Sequence, residues 1–305
     1  MRNTAIDALS IDPSGTYVDS TYGCGGHSIG ILDRLSSAGK LYAFDCDTAA
    51  ITAARQKHGN DPRFEAIHAR FSRIGEELRS RQPEIQLSGV IADLGVSSPQ
   101  LDQPDRGFSF MRDGPLDMRM NTSESVSASS WLETVSERQL SETLSKLGGE
   151  RFARRIAHRI VEQRAVSPIQ STGELARLIA DCVPKKEKDK HPATRTFLAI
   201  RMHVNRELEE LAAFLPQCVS LLKSGGRLVV ITFHSVEDRL VKTFMRDASI
   251  GTPGPQEIPF RRSDFRPTLK IVGKPQRPDE SEIDRNRRAR SAVMRVAERI
   301  GVSHA

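Results

Sequence analysis

A chain of 305 residues with 38% hydrophobic and 28% charged residues has the composition of a globular protein, which excludes extensive disorder. No apolar run approaches the roughly 20 residues that span a bilayer, and the N-terminus lacks the apolar core of a secretion signal. The four cysteines are widely spaced, which argues against a zinc site or a disulfide framework. We therefore expect a cytoplasmic protein without a bound metal.

The net charge of +6 is unevenly distributed along the chain. Residues 106–204 contain 17 Lys+Arg against 12 Asp+Glu, and residues 260–305 contain 12 against 6. Segregated basic segments are typical of proteins that bind a polyanion, most often nucleic acid. Ordinary solvated helix faces produce the same imbalance, so charge alone leaves both interpretations open.

A glycine turn follows the first predicted strand. After a short helix and a turn within residues 1–15, residues 17–21 predict a strand that runs into Gly23, Gly25 and Gly26 and then into a helix. Glycine lets the backbone turn sharply and lets a ligand approach it closely. The helix N-terminus behind the turn offers N–H groups to a carboxylate or phosphate. A plain strand–helix corner is the alternative.

A second strand, residues 40–45, ends in Asp45. This carboxylate follows the first glycine by about 20 residues, where nucleotide-binding α/β folds place the acid that holds ribose hydroxyls. The alternation of strands and helices continues with helices at 47–57 and 71–81 and strands at 64–68 and 89–94. The apolar strands are typical of a parallel sheet. The pattern predicts an adenosine-type cofactor.

The next sheet strand, residues 227–233, comes more than 100 residues after the fourth. A crossover between parallel strands needs only about a dozen residues including its helix, and residues 206–222 would supply that helix. The excess predicts a helical domain at residues 106–204, inserted into a main domain formed by residues 1–105 and 205–305. Later strands at 268–272 and 291–296 would bring the sheet to seven strands.

Two parts of the predicted insert are candidates for RNA binding. Residues 150–164 place Arg154 and Arg155 on one helix face and apolar side chains on the other, so that face is either a phosphate contact or simply solvated. Residues 106–120 form an aperiodic loop with Phe108 and Phe110, which could act as a lid or stack a base. Packing of the insert onto the main domain is the alternative for this loop.

The sequence gives weaker support to other classes of nucleotide-binding enzyme. The turn lacks the third glycine of the dinucleotide pattern at its usual offset, which weakens a nicotinamide-dependent oxidoreductase. No phosphate-loop lysine, zinc-binding His-Glu-x-x-His or nucleophile-elbow serine occurs. The fifth strand and its approach, LLKSGGRLVVITF, look more like the corresponding strand of S-adenosylmethionine-dependent methyltransferases.

Long motifs carry a closer resemblance, which extends over nearly the whole chain. The segments DLGVSSPQLDQPDRGFSFMRDGPLDMRM, HPATRTFLAIRMHVNREL and GGRLVVITFHSVEDRLVK resemble the RsmH (MraW) family. The resemblance implies a Rossmann-like class I methyltransferase domain with a mostly parallel seven-stranded sheet and an inserted all-helical domain. It also implies methylation of the exocyclic N4 of a decoding-centre cytidine in 16S ribosomal RNA, with the small ribosomal subunit as partner. By similarity, S-adenosylmethionine would bind at Gly25, Gly26, His27, Asp45, Phe71, Asp93 and Gln100.

Asp93, Ser97 and Ser98 are the candidates for the catalytic positions. An acceptor beside the cytosine amine would hold its lone pair toward the methyl carbon, and alignment is the main requirement of this transfer. Asp93 would chiefly position the cofactor, and the turn at residues 97–100 would form a wall of the base pocket. For the two serines, a hydrogen-bonded loop corner is the alternative. His27 is interpreted as positional rather than as a general base.

Some features leave alternatives open. The family usually begins with a His-x-Pro-Val-Leu-like segment that this sequence lacks, so either the start codon is misassigned or the pocket edge is built differently. Cys46 and Thr48 stand where a basic residue and proline are commoner. A non-catalytic ribosome-assembly factor that retains the cofactor pocket is the alternative function, and a homodimer is one candidate for the oligomeric state.

Overall fold

The computed structural model describes residues 1–123, 126–183, 191–253 and 265–301. The chain divides into two compact units, the first formed by Met1–Gly95 with Leu208–Ala305 and the second by Val96–Glu207. Parts of the predicted basic segments, residues 184–190 and 254–264, lie outside the described residues. A substrate-recognition role for the second unit stays a prediction.

The first unit is built on one large sheet. Its strands, in chain order and together with a separate short pair, are β1 (Thr16–Asp19), β2 (Lys40–Asp45), β3 (Phe64–His68), β4 (Leu87–Asp93), β5 (Leu222–Thr232), β6 (Thr252–Pro253), β7 (Phe265–Arg266), β8 (Leu269–Ile271) and β9 (Val293–Arg299). The seven-stranded sheet has the order β3-β2-β1-β4-β5-β9-β8, and β6 pairs with β7 in a separate two-stranded sheet. The first five strands are parallel, whereas β9 is antiparallel to both β5 and β8. The predicted fold class, an α/β chain with a mostly parallel seven-stranded sheet, is confirmed.

Helices follow the strands of the sheet and form most of the second unit. Those of the first unit are α1 (Arg2–Ala8), α2 (Gly26–Leu32), α3 (Thr48–His58), α4 (Ile74–Arg81), α11 (Glu207–Leu221, whose first residue belongs to the second unit), α12 (Ser235–Ile250) and α13 (Glu280–Arg285). Those of the second unit are α5 (Ser98–Asp102), α6 (Ala128–Thr134), α7 (Glu137–Gly148), α8 (Ala153–Val166), α9 (Thr172–Cys182) and α10 (Thr194–Val204). Short 3₁₀ turns occupy Phe71–Arg73, Pro104–Arg106 and Arg287–Ser291. None of the described helices is both long enough and apolar enough to cross a membrane.

Three apolar clusters hold these elements together. In the first unit, Phe44 of β2 packs with Phe214 of α11 in one cluster, and Tyr17 of β1 packs with Ile31 of α2 in another. All four side chains are at most 1% exposed. The second unit has its own core, which includes Ile156 of α8. Burial on two sides of the sheet explains why its central strands are continuous apolar runs.

Candidate functional site

The turn between β1 and α2 requires glycine at Gly25. Its φ is 77°, a left-handed conformation that side chains disfavour, and a Cβ there would lie 2.5 Å from the Tyr22 hydroxyl oxygen. Gly23 also has a positive φ, of 53°. A Cβ at Gly26, the first residue of α2, would meet only the Arg2 Cδ, at 3.9 Å. The turn therefore requires glycine at Gly25 and leaves space beside Gly26.

Asp45 at the end of β2 is tied to this turn. One carboxylate oxygen accepts the Gly23 N–H at 2.8 Å and the other accepts the Asp47 N–H at 2.8 Å. Burial raises the pKa of Asp45 to about 6, and these two N–H groups act in the opposite direction. A carboxylate has about four acceptor sites, so Asp45 can accept further hydrogen bonds from the hydroxyls of a ligand.

His27 and Asp93 connect α2 to the end of β4. The His27 Nε2 lies 3.3 Å from the Asp93 Oδ2. Burial alone would lower the pKa of His27, but the hydrogen bond and charge of Asp93, assisted by the charge of Asp19, raise it overall. The Asp93 N–H donates to the Thr21 hydroxyl at 2.7 Å, so the ends of β1 and β4 are fixed to each other.

Three buried polar atoms at this edge of the sheet have no hydrogen-bond partner among the described residues. They are the Ser20 Oγ, the His27 Nδ1 and the Asp93 Oδ1. A buried polar group without a partner costs roughly 1–3 kcal/mol, so a group of this kind needs an explanation such as a bound ligand. These atoms lie just beyond the carboxyl ends of two neighbouring parallel strands, where open α/β sheets bind ligands. The residues present therefore fit a polar cofactor.

Asp19, the last residue of β1, is part of this network and was not among the predicted site residues. It is 1% exposed, and it accepts the Ser28 hydroxyl at 2.7 Å and the Thr21 N–H at 3.3 Å. Burial raises the pKa of Asp19, whereas the nearby charge of His27 opposes the shift. An acid at the end of the first strand, directly before the glycine turn, was the signal that could have found it.

Phe71 and Gln100 occupy different units. Phe71 begins the 3₁₀ turn after β3, and its ring contacts the edge of the Phe214 ring at a centroid distance of 5.0 Å. Gln100 belongs to the second unit, is 6% exposed and accepts the Ser97 N–H through its Oε1 at 2.9 Å. The Ser97 side chain caps α5 in return, the geometry of a loop corner, and Ser98 is exposed as the first residue of α5. Their proposed roles stay predictions.

The RNA-binding candidates of the second unit differ in exposure. Phe108 is 6% exposed within the core of the unit, a position that fits packing rather than base stacking. Phe110 is half-buried, with its ring centroid 4.6 Å from that of His191 and 4.8 Å from that of Phe197. On α8, the exposed Arg154 and Arg155 carry the charge, and the periodic apolar side chains are buried as the pattern predicts.

The chain is similar to known proteins over nearly its whole length. The model of the MraW methylase family matches residues 1–300. The chain is 53% identical over 298 residues to the ribosomal RNA small subunit methyltransferase H of Chromohalobacter salexigens, covering 97% of this chain and 89% of that protein. It is 51% identical over 303 residues to the protein of the same name from Nitrosomonas europaea, covering 97% and 95%. The corresponding protein of Thioalkalivibrio sulfidiphilus is 50% identical over 297 residues, with the same two coverages.

Proposed function

Because the chain belongs to the MraW methylase family and is an S-adenosylmethionine-dependent methyltransferase, we propose that it methylates 16S ribosomal RNA at the N4 of a decoding-centre cytidine. The observation that carries the proposal is the glycine turn after β1, hydrogen-bonded to Asp45 and followed by the His27–Asp93 pair. The names of the relatives indicate ribosomal RNA of the small subunit as the substrate. The motif resemblance indicates the methylated position.

The residues of the first unit suit a cofactor with a sugar and an amino-acid end. Asp45 would accept from the ribose hydroxyls, and the open backbone at Gly26 would receive the amino-acid end. The unpartnered atoms of His27 and Asp93 supply polar groups for the same ligand. When bound, S-adenosylmethionine supplies a methyl group that its sulfonium already activates.

Asp93 would then act on the cytosine amine. The amine lone pair is delocalised into the ring, so the enzyme must orient the nitrogen and accept its hydrogen bonds. The Asp93 side chain is 34% exposed, so its carboxylate can accept a hydrogen bond from an amine, whereas its Oδ1 is buried and has no partner among the described residues. The His27 ring holds the other oxygen and fixes the orientation of the carboxylate.

The RNA substrate requires a second surface. A base inside folded RNA must be turned out before its amine can react, and basic side chains along the adjoining phosphates stabilise that state. Arg154 and Arg155 are exposed and suit this role.

A cytoplasmic location and the small ribosomal subunit as partner follow from the same proposal. Light scattering during size-exclusion chromatography would test the predicted homodimer.

Methyl transfer to purified small subunits tests the proposal. Subunits from a strain without the modification are incubated with the protein and radiolabelled S-adenosylmethionine. The RNA is then digested to nucleosides to identify the modified base, and to oligonucleotides to locate it. We expect the label in N4-methylcytidine from a single decoding-centre position. Label on another atom would contradict the assigned position. Binding of both cofactor and subunits without transfer would favour the non-catalytic assembly factor.

A further inference from the structure

The 3₁₀ turn Arg287–Ser291, in the first unit, presents two arginines on one face. Arg287 and Arg290 are exposed, and neither side chain has an ion pair or a hydrogen bond among the described residues. Side chains three residues apart are eclipsed in a 3₁₀ helix, and a rise of about 2 Å per residue separates them by about 6 Å along the axis. The two positive charges therefore stand next to each other in solvent.

The backbone of this turn is fixed by its neighbours. The Asn286 side chain accepts the Arg288 N–H at 3.1 Å, and the Ala289 carbonyl accepts the Ala292 N–H at 2.8 Å. Ala289 is only 6% exposed, so a second face of the turn packs against the protein. The exposed arginines are thus long side chains on a backbone that is held in place.

The sheet places the turn at the same edge as the candidate cofactor site. Strand β9 begins just after the turn, and its first residue, Val293, pairs with Thr232 at the end of β5. Strand β5 is parallel to β4, and its Ile231 pairs with Asp93 at the end of β4. Neighbouring strands lie about 4.8 Å apart, so the beginning of β9 is about 10 Å from the end of β4.

The acids near the turn leave its positive charge available. Residues 285–291 contain four arginines and no acid. Asp238, which contacts β9, is held by Arg295 in a bidentate ion pair at 2.8 and 2.9 Å. Glu280 and Asp284 of α13 are exposed and, in the described part of the chain, form no ion pair with either exposed arginine of the turn.

The order of the strands separates a side for the cofactor from a side for the RNA. Asp45 and the glycine turn lie at the ends of β2 and β1, on one side of Asp93. Strands β5 and β9 lie on the other side of Asp93. A base whose amine meets the cofactor at Asp93 therefore approaches over β5 and β9, which brings its backbone near the turn.

We propose that Arg287 and Arg290 bind phosphates of the RNA backbone beside the target cytidine. Phosphate contacts fix the register of a nucleic acid on a protein, and the planar guanidinium of arginine suits phosphate oxygens. The two contacts hold the strand on the first unit while the target base is turned out toward Asp93. This assignment rests on the proposed function, because it assumes that RNA is the substrate.

Three double variants test the turn. Arg287→Gln/Arg290→Gln removes both charges and keeps polar side chains, whereas Arg287→Lys/Arg290→Lys keeps the charges. Arg55→Gln/Lys57→Gln is the matched control, since both side chains are exposed and have no ion pair in the described ranges. They lie in the last turn of α3, at the opposite edge of the sheet. Thermal melting and S-adenosylmethionine calorimetry establish that each variant is folded and binds the cofactor.

Affinity for unmodified small subunits is measured over a series of salt concentrations. The glutamine pair should lose at least about tenfold in affinity, and its log–log salt slope should be shallower by roughly 1.4, as expected for two lost contacts to single-stranded RNA. The lysine pair should keep the wild-type slope and stay within about threefold of wild-type affinity, because it keeps the charge but not the planar fork. The α3 control should stay within about twofold.

Photo-cross-linking locates the contact on the RNA. A photoreactive amino acid replaces Ser291, which is exposed at the end of the turn, so both arginines are kept. The cross-linked nucleotides are identified by primer extension on the RNA of the small subunit. We expect them to flank the cytidine that receives the radiolabelled methyl group.

Three results would overturn the inference while methyl transfer by the wild type left the proposed function intact. Wild-type affinity and slope in the glutamine pair would show that the arginines contact no phosphate. An equal loss in the α3 control would show that net charge, and not this turn, determines affinity. Cross-links only to a ribosomal protein, or to RNA far from the labelled cytidine, would exclude the proposed contact. Absence of both binding and transfer by the wild type would contradict the proposed function itself.

Discussion

The candidate cofactor site of the first unit and the arginine face of the second differ in how their side chains are held: those of the cofactor site are fixed by hydrogen bonds, and those of the second unit are exposed. In the first unit, Asp19 and Asp45 lie at the ends of neighbouring strands and are fixed by backbone and side-chain hydrogen bonds. In the second unit, Arg154 and Arg155 stand exposed on a helix face. Side chains held in fixed positions suit the binding of one small molecule of defined shape. Exposed charged side chains suit a polyanion whose backbone can adjust to them. Changes at the cofactor site should therefore alter cofactor binding and chemistry, and changes on the arginine face should alter salt-dependent RNA affinity.

The largest effect is expected from Asp93→Ala. It removes the carboxylate that pairs with His27 and offers an acceptor to the amine, so methyl transfer should fall more than about a hundredfold. Transfer of labelled methyl groups to small subunits measures the loss, and circular dichroism checks the fold. Asp33→Ala, an exposed change at the end of α2, is the control and should retain activity. Near-normal turnover by Asp93→Ala would remove Asp93 from the reacting centre.

Two adjacent glycine changes should separate stability from cofactor binding. Gly25→Ala places a Cβ against Tyr22 in a left-handed conformation, so it should lower the free energy of unfolding by at least roughly 1–2 kcal/mol. Gly26→Ala lies in the first turn of α2 and should melt near or above the wild-type temperature, yet bind S-adenosylmethionine about tenfold more weakly because the methyl group occupies the ligand's space. Differential scanning calorimetry and ligand titration give the two quantities. Undiminished binding by Gly26→Ala would show that the ligand does not approach this backbone.

Asp45 should make cofactor binding depend on pH. Its pKa of about 6 lies above the ordinary value, so the ligand-free protein loses stability from this group as pH rises through about 4 to 6. Ribose hydroxyls need the ionised carboxylate, so affinity should instead rise about tenfold between about pH 5 and pH 7.5. Asp45→Asn should bind more weakly and show no such rise. An equal pH dependence in Asp45→Asn would assign the titration to another group.

The smallest effect is expected on the helix face of the second unit. Arg154→Glu/Arg155→Glu should weaken RNA binding about fivefold or more and flatten its salt dependence, because exposed charges act through the phosphates alone. S-adenosylmethionine affinity should not change. Arg138→Glu/Lys146→Glu on α7 makes the same net change of charge and serves as the control. Equal losses in both double variants would mean that net charge, and not this face, determines affinity.

Local pattern predicted much of the first unit. The bounds of β2 and β3 agree with the sequence prediction. The strand predicted to begin at Arg227 begins instead at Leu222, which pairs with Leu87 across an irregularity in the register. That pairing joins distant parts of the chain and has no local signal. The position of β9 between β5 and β8 is equally a matter of long-range pairing.

The candidate site could be predicted only in part, because some of its contacts join residues that are far apart in the sequence. Asp45 follows from its spacing to the glycine turn, but the contact of His27 with Asp93 joins residues 66 positions apart. Periodicity predicted the buried and exposed faces of α8, since a helix repeats every 3.6 residues. The loop at residues 106–120 has no period, so the sequence could not show that Phe108 is buried while Phe110 is half-exposed.

Calorimetric titration of the folded protein with S-adenosylmethionine and with S-adenosylhomocysteine tests the central claim most directly. The site built from the glycine turn, Asp45 and the His27–Asp93 pair predicts one saturable binding event per chain, strongly weakened in Asp45→Ala. Absence of binding heat at several temperatures, with the protein folded and small subunits present, would contradict a cofactor site in the first unit.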